Sequence, residues 1–108
     1  MPDKVIQNDQ SIAPIVDIYP AVKPLGYQQI LAATLAAATS LTPPSGTRYA
    51  IITPEAQGVR WRDDGTAPTA TVGMLLGANG VLIYNGDFTK IQFIAATAGA
   101  ILNVSYYQ

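Results

Sequence analysis

Several short stretches of the chain alternate apolar and polar side chains with a period of two, which is typical of a β-strand with one buried face. In residues 58–64, Val59 and Trp61 alternate with Arg60 and Arg62. The same alternation recurs in three other stretches, residues 48–53, 90–96 and 100–107. Glycine, proline and asparagine separate such stretches about every ten residues, as in all-β sandwiches and barrels. The pattern therefore predicts an all-β fold, a single β-sandwich or jelly-roll-like domain of about seven to eight short antiparallel strands.

Turn residues predict where some of these strands end. Asn79 and Gly80 predict a hairpin between strands over 71–76 and 81–84, because both residues tolerate a positive φ. Pro54 is expected to end the strand over 48–53, because proline has no N–H to donate to a strand ladder.

Residues 27–41 fit two periodicities. Tyr27, Leu31 and Leu35 would lie on one stripe of a helix, but this stretch lacks the charged residues that usually cover the outer face of a surface helix. A period of two also fits, with Leu31 and Leu35 on one face and Ile30 on the other. We favour a strand here, because the pattern of everything that follows is β, and the helix remains the alternative.

The first 24 residues differ in composition from the rest. They hold four of the eight prolines and five of the thirteen charged residues, which favours extended chain over helix. Their apolar residues include Ile15, Val16, Ile18 and Tyr19, which a solvated linker would not need. We therefore predict an extended N-terminal arm over 1–24 that packs on a partner or on the body over 25–108. A partly ordered tail is the alternative.

Composition limits the chemistry of the chain. It has no Cys and no His, so it lacks a thiolate nucleophile, an imidazole base and the usual zinc ligands. Its net charge of −1 gives no basic excess for phosphate, and it has neither a signal-peptide core nor a run long enough to span a membrane. We expect no catalytic, cofactor or metal site and no nucleic-acid or membrane partner.

The share of charged residues is only 12%, roughly half the usual value for a globular chain. Charge is depleted where a protein surface becomes the core of an interface, so this composition favours a protein that assembles with others. A small β domain with a threonine-rich surface is the simpler alternative.

The densest polar motif runs from Arg60 through Trp61, Arg62 and Asp63 to Asp64. Three interpretations stay open for it. Paired guanidinium groups can bind an anion or a carboxylate; alternatively, the charges can form a salt-bridge network with Asp64 in an Asx turn. The third interpretation is an inter-subunit contact, in which Arg and Trp are favoured. We take Arg60, Trp61, Arg62 and Asp63 as candidate interface residues, together with the four apolar arm residues, and expect Trp61 also to anchor the core beside Val59.

Residues 58–107 carry a resemblance to small structural proteins of tailed bacteriophages. The shared pattern is V-R-W-R-D-D-G-x-x-P-T, then a glycine-rich hairpin, then I-x-F-I and a terminal N-V-x-Y-Y. It covers about half of the chain, and a weaker likeness extends from Leu31 to Tyr49.

The resemblance implies a non-enzymatic virion protein, made in the cytoplasm of the host bacterium. The chain is similar to capsid decoration (cement) proteins, and this implies that it binds the major capsid protein on the outer shell as a homodimer or homotrimer. A tail, neck, baseplate or fibre protein is the alternative within the virion. A host-surface carbohydrate-binding module that uses Trp61 is an alternative of another class, and a hydrolase is a more distant one.

Overall fold

The computed structural model describes residues 22–108, and everything it describes is strand, turn or loop. Eight β-strands follow one another along the chain: β1 (Pro24–Ile30), β2 (Thr39–Ser40), β3 (Tyr49–Glu55), β4 (Val59–Arg62), β5 (Met74–Leu76), β6 (Leu82–Tyr84), β7 (Gln92–Ala95) and β8 (Ile101–Tyr107). The predicted all-β fold of seven to eight short strands is confirmed.

The strands form two antiparallel sheets of four strands each. The first sheet has the order β1-β8-β3-β6, and the second has the order β2-β7-β4-β5. All six strand pairings are antiparallel, and β8 lies between β1 and β3. Only β4 and β5 are both consecutive in the chain and paired with each other. All the remaining connections pass from one sheet to the other.

The core lies between the two sheets and follows the predicted alternation. In β3 and β8 every second residue is buried, which puts Ile52, Leu102 and Val104 inside the sandwich. Val59 and Phe93 face them from the second sheet and are equally inaccessible to solvent. Burial of one face per strand supplies the main driving force for the two sheets to pack together.

The prediction of a strand over residues 27–41 is wrong for its central part, and so is the helical alternative. The chain leaves β1 after Ile30 and turns back on itself over residues 31–37, where the N–H groups of Thr34 and Leu35 donate to the carbonyl of Leu31. This turn places the side chain of Leu35 in the core, and the backbone N–H of Ala95 donates to the Leu35 carbonyl at 2.9 Å. A contact with a distant strand thus accompanies a turn that neither local periodicity predicts.

Pro54 does not end its strand, contrary to prediction. β6 pairs with β3 only from Ala50 to Ile52, so the edge of β3 at Pro54 has no ladder partner on that side. The carbonyl of Pro54 points to this side, where it accepts from the N–H of Asn79 at 2.8 Å. Because the N and C=O of a residue in an antiparallel strand point the same way, the missing N–H interrupts no pairing with β8.

The turn at Asn79 and Gly80 is present, but it does not join a hairpin. Asn79 has a φ of 65°, and the N–H of Gly80 donates to the carbonyl of Gly77 at 2.9 Å. The strands on either side, β5 and β6, belong to different sheets. Asn79 adopts the left-handed conformation while Gly80 is the last residue of the turn, and the predicted pairing of the two flanking strands is wrong.

The described part of the chain starts next to its C-terminus. Lys23 and Gln108 exchange two backbone hydrogen bonds, of 3.2 and 2.9 Å, and β1 begins at the next residue, Pro24. Most of the predicted arm over 1–24 lies outside the described residues, including its candidate interface residues Ile15, Val16, Ile18 and Tyr19. Over residues 22–108 there is no helix with the length and hydropathy needed to cross a membrane.

Candidate functional site

The polar motif at the end of β4 holds the loop that connects β4 to β5. The Arg60 side chain donates from Nε to the carbonyl of Ala70 at 3.2 Å and from Nη1 to the carbonyl of Gly73 at 3.0 Å. Gly73 has a φ of 142°, and a Cβ there would lie 3.1 Å from the Trp61 carbonyl oxygen. Glycine lets the loop approach β4 closely enough for Arg60 to bind it.

Arg62 is engaged separately, in a surface pair with Asp64. Its Nε and Nη2 donate to the two carboxylate oxygens of Asp64 at 3.1 and 2.5 Å. The same carboxylate accepts from the N–H of Thr66 at 3.2 Å, which is the predicted Asx turn. The hydrogen bond from Arg62 lowers the pKa of Asp64 below its ordinary value, and the Thr66 N–H adds to this effect. Among the described residues this is the one ion pair.

Asp63 points away from Asp64 and accepts a hydrogen bond from the Tyr84 hydroxyl at 2.8 Å. Burial of Tyr84, followed by this bond to a carboxylate, raises the pKa of the Tyr84 hydroxyl to about 12. The ring of Tyr84 lies across the backbone of Gly86, where a Cβ would come within 2.6 Å of Cζ. Tyr84 thereby ties the end of β4 in the second sheet to β6 in the first.

Trp61 packs at the rim of the core rather than in its centre. Its side chain is half-buried and meets the edge of the Tyr84 ring, with 6.2 Å between ring centroids and 67° between planes. Tyr84 contacts Phe88 in the same manner at 5.2 Å. Val59, two residues earlier, is fully buried as predicted.

A shallow cleft of about 430 Å³ opens beside this motif. It is lined on one side by Trp61 to Asp64 and on the other by Val72, Gly73 and Met74. Both guanidinium groups that could have received an anion are already donating within the chain, so the arrangement does not converge on an empty anion site. In the described range, no three carboxylates come together in a way that could hold a metal ion.

These contacts agree with the interpretation of the motif as a stabilising network. Arg60, Arg62 and Asp63 each have a partner within the chain, and Trp61 leans on Tyr84. Their predicted use as contacts between subunits stays a prediction.

The sequence did not single out the two edge strands that carry further exposed apolar side chains: Leu75 lies beside Arg60 on the outer face of the second sheet, and Ile83 lies beside Ile51 on the outer face of the first. β5 is the last strand of the second sheet and β6 is the last strand of the first, and residues 77–81 join them. Five apolar side chains on or beside these two strands are more than half exposed: Val72, Met74, Leu75, Val81 and Ile83. We call these five residues the β5–β6 border. The signal was present in the sequence, because residues 65–86 contain no charged side chain, but only the fold shows that two edge strands share this run.

Neither the protein-family models, nor the curated proteins, nor the solved structures with which the chain was compared gave a match. The resemblance to phage virion proteins therefore rests on the sequence pattern alone, chiefly that of residues 58–107.

Proposed function

We propose that the chain is a non-enzymatic structural protein of a tailed-phage virion, a capsid decoration protein that binds the outer surface of the major capsid shell. The observation that carries this proposal is the β5–β6 border. The resemblance of residues 58–107 to small virion proteins supplies the identity of the particle.

The border has the properties of a surface that another protein covers. Leu75 is 61% exposed and Ile83 is 67% exposed, and they stand on strands whose outer edges have no ladder partner among the described residues. Proteins that stay monomeric usually protect such edges with charge or proline, because an open apolar edge recruits further strands. β5 and β6 contain neither. Exposed apolar side chains on open edge strands are typical of protein interaction sites.

Attachment would combine this border with the N-terminal arm. A decoration protein is present in many copies, so weak contacts by each copy become strong in the array. In the proposed arrangement the border adds to the edge of a capsid sheet, and the arm over 1–24 extends to a neighbouring capsid subunit. The low charge of the chain suits such contacts, because the core of an interface is depleted in charge.

Co-sedimentation with capsids of the encoding phage that lack the chain tests the proposal. The full chain should saturate these capsids, and Leu75→Asp should weaken binding by about tenfold or more, because a carboxylate would be buried without a partner. Leu31→Asp is the matched control, since Leu31 is 56% exposed and lies outside the border, in the turn after β1. It should bind like the natural chain.

Failure of the natural chain to bind capsids would refute the decoration role. The copy number in purified virions would then show whether a tail or neck position applies, because those parts contain far fewer subunits than the shell. Equal losses for Leu75→Asp and Leu31→Asp would show that the border is not the attachment surface.

The cleft beside Trp61 favours one second candidate, a carbohydrate-binding module. Its lining combines an indole with the carboxylates of Asp63 and Asp64, the types of side chain that stack on sugar rings and accept from their hydroxyls. Binding on a glycan array that Trp61→Phe abolishes, with an unchanged melting transition, would support this candidate over a capsid role.

A further inference from the structure

The outer face of the first sheet meets the β5–β6 border at Ile83, which pairs with Ile51, and extends from there across β3, β8 and β1. The register places Tyr27, Ser105 and Ile51 side by side across three strands, and Tyr49 lies opposite Tyr107. The rings of Tyr49 and Tyr107 stack with their centroids 5.2 Å apart and their planes at 16°. The centre of this face therefore consists of tyrosine, isoleucine and serine, without a charged side chain.

Hydrogen bonds hold the polar side chains of this face in place. Asn103 accepts at Oδ1 from the Tyr27 hydroxyl at 2.5 Å and from Gln29 Nε2 at 3.0 Å. Its Nδ2 donates to Glu55 Oε1 at 2.8 Å. Side chains that are ordered before association lose less conformational entropy when a partner covers them.

Among residues 22–108, the charged side chains of this face lie at its two ends. Glu55 is the last residue of β3 and shares the outward side of that strand with Ile51. Arg48 precedes β3 at the other end and lines a shallow depression with Tyr49, Ile83 and Asn85. Strand β3 thus runs from a cation to an anion, and the apolar centre lies between them.

We propose that this face binds the same face of a second copy, with the two β3 strands antiparallel across a two-fold axis that lies between the sheets. In that arrangement Arg48 of each copy meets Glu55 of the other, and Ile51 and Tyr27 pack at the centre. A two-fold interface requires such self-complementarity, because every contact occurs twice. The inference rests on the proposed function for its setting, a many-copy virion protein, and it names one partner of that protein.

The size of the face sets the strength of this association. Three strands of seven residues and one of three, about 4.8 Å apart, cover roughly 400 Å². Stable interfaces bury about 800 Å² on each partner, so the isolated dimer is weak and reversible. Copies held close together on a shell would associate at a high effective concentration, where a weak contact suffices.

Sedimentation velocity over a dilution series of the full chain tests the proposal. The natural chain should pass from dimer to monomer on dilution. Arg48→Glu and Glu55→Arg should each raise the dissociation constant by about tenfold, because each replaces two attractive pairs by two repulsive ones. The double variant R48E/E55R should return to within about threefold of the natural value, because it restores opposite charges in exchanged positions.

Lys90→Glu is the matched control for net charge, since it makes the same change as Arg48→Glu at an exposed residue in the turn before β7. It should leave the dissociation constant unchanged. A natural chain that stays monomeric at every concentration would overturn the proposal and leave this face to the N-terminal arm or to another protein. Loss of self-association in both single variants without rescue in the double variant would overturn the antiparallel arrangement.

Capsid binding separates this inference from the proposed function. Arg48→Glu should still co-sediment with capsids through the β5–β6 border, and Leu75→Asp should still dimerise. If the natural chain dimerises but binds no capsid, the decoration role fails and the interface stands. If the natural chain binds capsids but stays monomeric, the decoration role stands and the proposed dimer interface fails.

Discussion

The outer face of the second sheet carries Arg60 and Arg62, whereas the centre of the outer face of the first sheet carries Tyr27, Ile51 and Ser105. Both faces are polar enough to meet water, yet their polar groups act differently. On the second sheet the guanidinium groups donate to carbonyls and a carboxylate of the same chain. On the first sheet the hydroxyl and amide groups bond one another within the plane of the face.

The contrast shows that charge by itself is a poor guide to an interface. A charged motif whose groups bond within the chain stabilises a loop, and a partner would have to compete with those bonds. A face whose centre is uncharged and whose side chains are pre-ordered can be covered at low desolvation cost. The second-sheet motif is thus expected to matter for folding, and the first-sheet face for association.

The largest difference in stability is expected between alanine at Trp61 in the second sheet and alanine at Tyr27 on the first-sheet face. Trp61→Ala removes an indole that packs on Tyr84 and on the core, and it should lower the free energy of unfolding by about 3 kcal/mol. Tyr27→Ala, on the first-sheet face, should cost about 1 kcal/mol or less, because Tyr27 is 64% exposed. Urea unfolding followed by circular dichroism measures both values.

An unchanged midpoint for Trp61→Ala would place its indole outside the packing that holds the two sheets together. It would also favour the carbohydrate-binding candidate, in which the ring is kept for a ligand. Equal losses in Trp61→Ala and Tyr27→Ala would remove the proposed distinction between a stabilising side and an associating side.

Much of the sandwich was predictable because burial follows a period of two. The buried positions of β3, β7 and β8 follow directly from alternation in the sequence, whereas in β4 only Val59 is fully buried. The Asx turn at Asp64 was foreseen for a similar reason, since the carboxylate bonds an N–H only two residues away. Features that depend on near neighbours in the chain can be derived from the sequence.

Features that depend on distant partners could not be derived in this way. The turn over 31–37 is fixed by Ala95, which donates to Leu35 from another strand. Asp63 bonds Tyr84 across 21 positions of sequence, and nothing in the order of residues indicates that contact. The β5–β6 border likewise requires knowledge of which strands end each sheet, because five apolar residues in an uncharged run are equally consistent with a buried strand.

Arginine substitutions on the second-sheet and first-sheet sides should differ less in their effect on stability than the substitutions of Trp61 and Tyr27. Arg60→Met keeps much of the apolar stem but leaves the carbonyls of Ala70 and Gly73 without their donor, so it should lower stability by about 1–2 kcal/mol. Arg48→Met, on the first-sheet side, should change it by less than about 0.5 kcal/mol. Hydrogen exchange in residues 66–73 should rise in Arg60→Met only. Unaltered exchange there would mean that Arg60 does not hold the loop.

The smallest effect concerns Asp64 and depends on pH. The fold lowers the pKa of Asp64, so the stabilisation from its ionised form is present above the ordinary aspartate value of about 3.9 and is lost as the pH falls below it. Asp64→Asn removes the ion pair with Arg62 and keeps an oxygen that can accept from Thr66. Its melting temperature should therefore lie slightly below that of the natural chain at pH 7 and equal it near pH 2.

Glu55→Gln, its counterpart on the first-sheet face, should reduce dimerisation at pH 7 more than it reduces the melting temperature of the monomer. If instead Asp64→Asn impaired dimerisation and Glu55→Gln impaired folding, the roles assigned to the two faces would be exchanged.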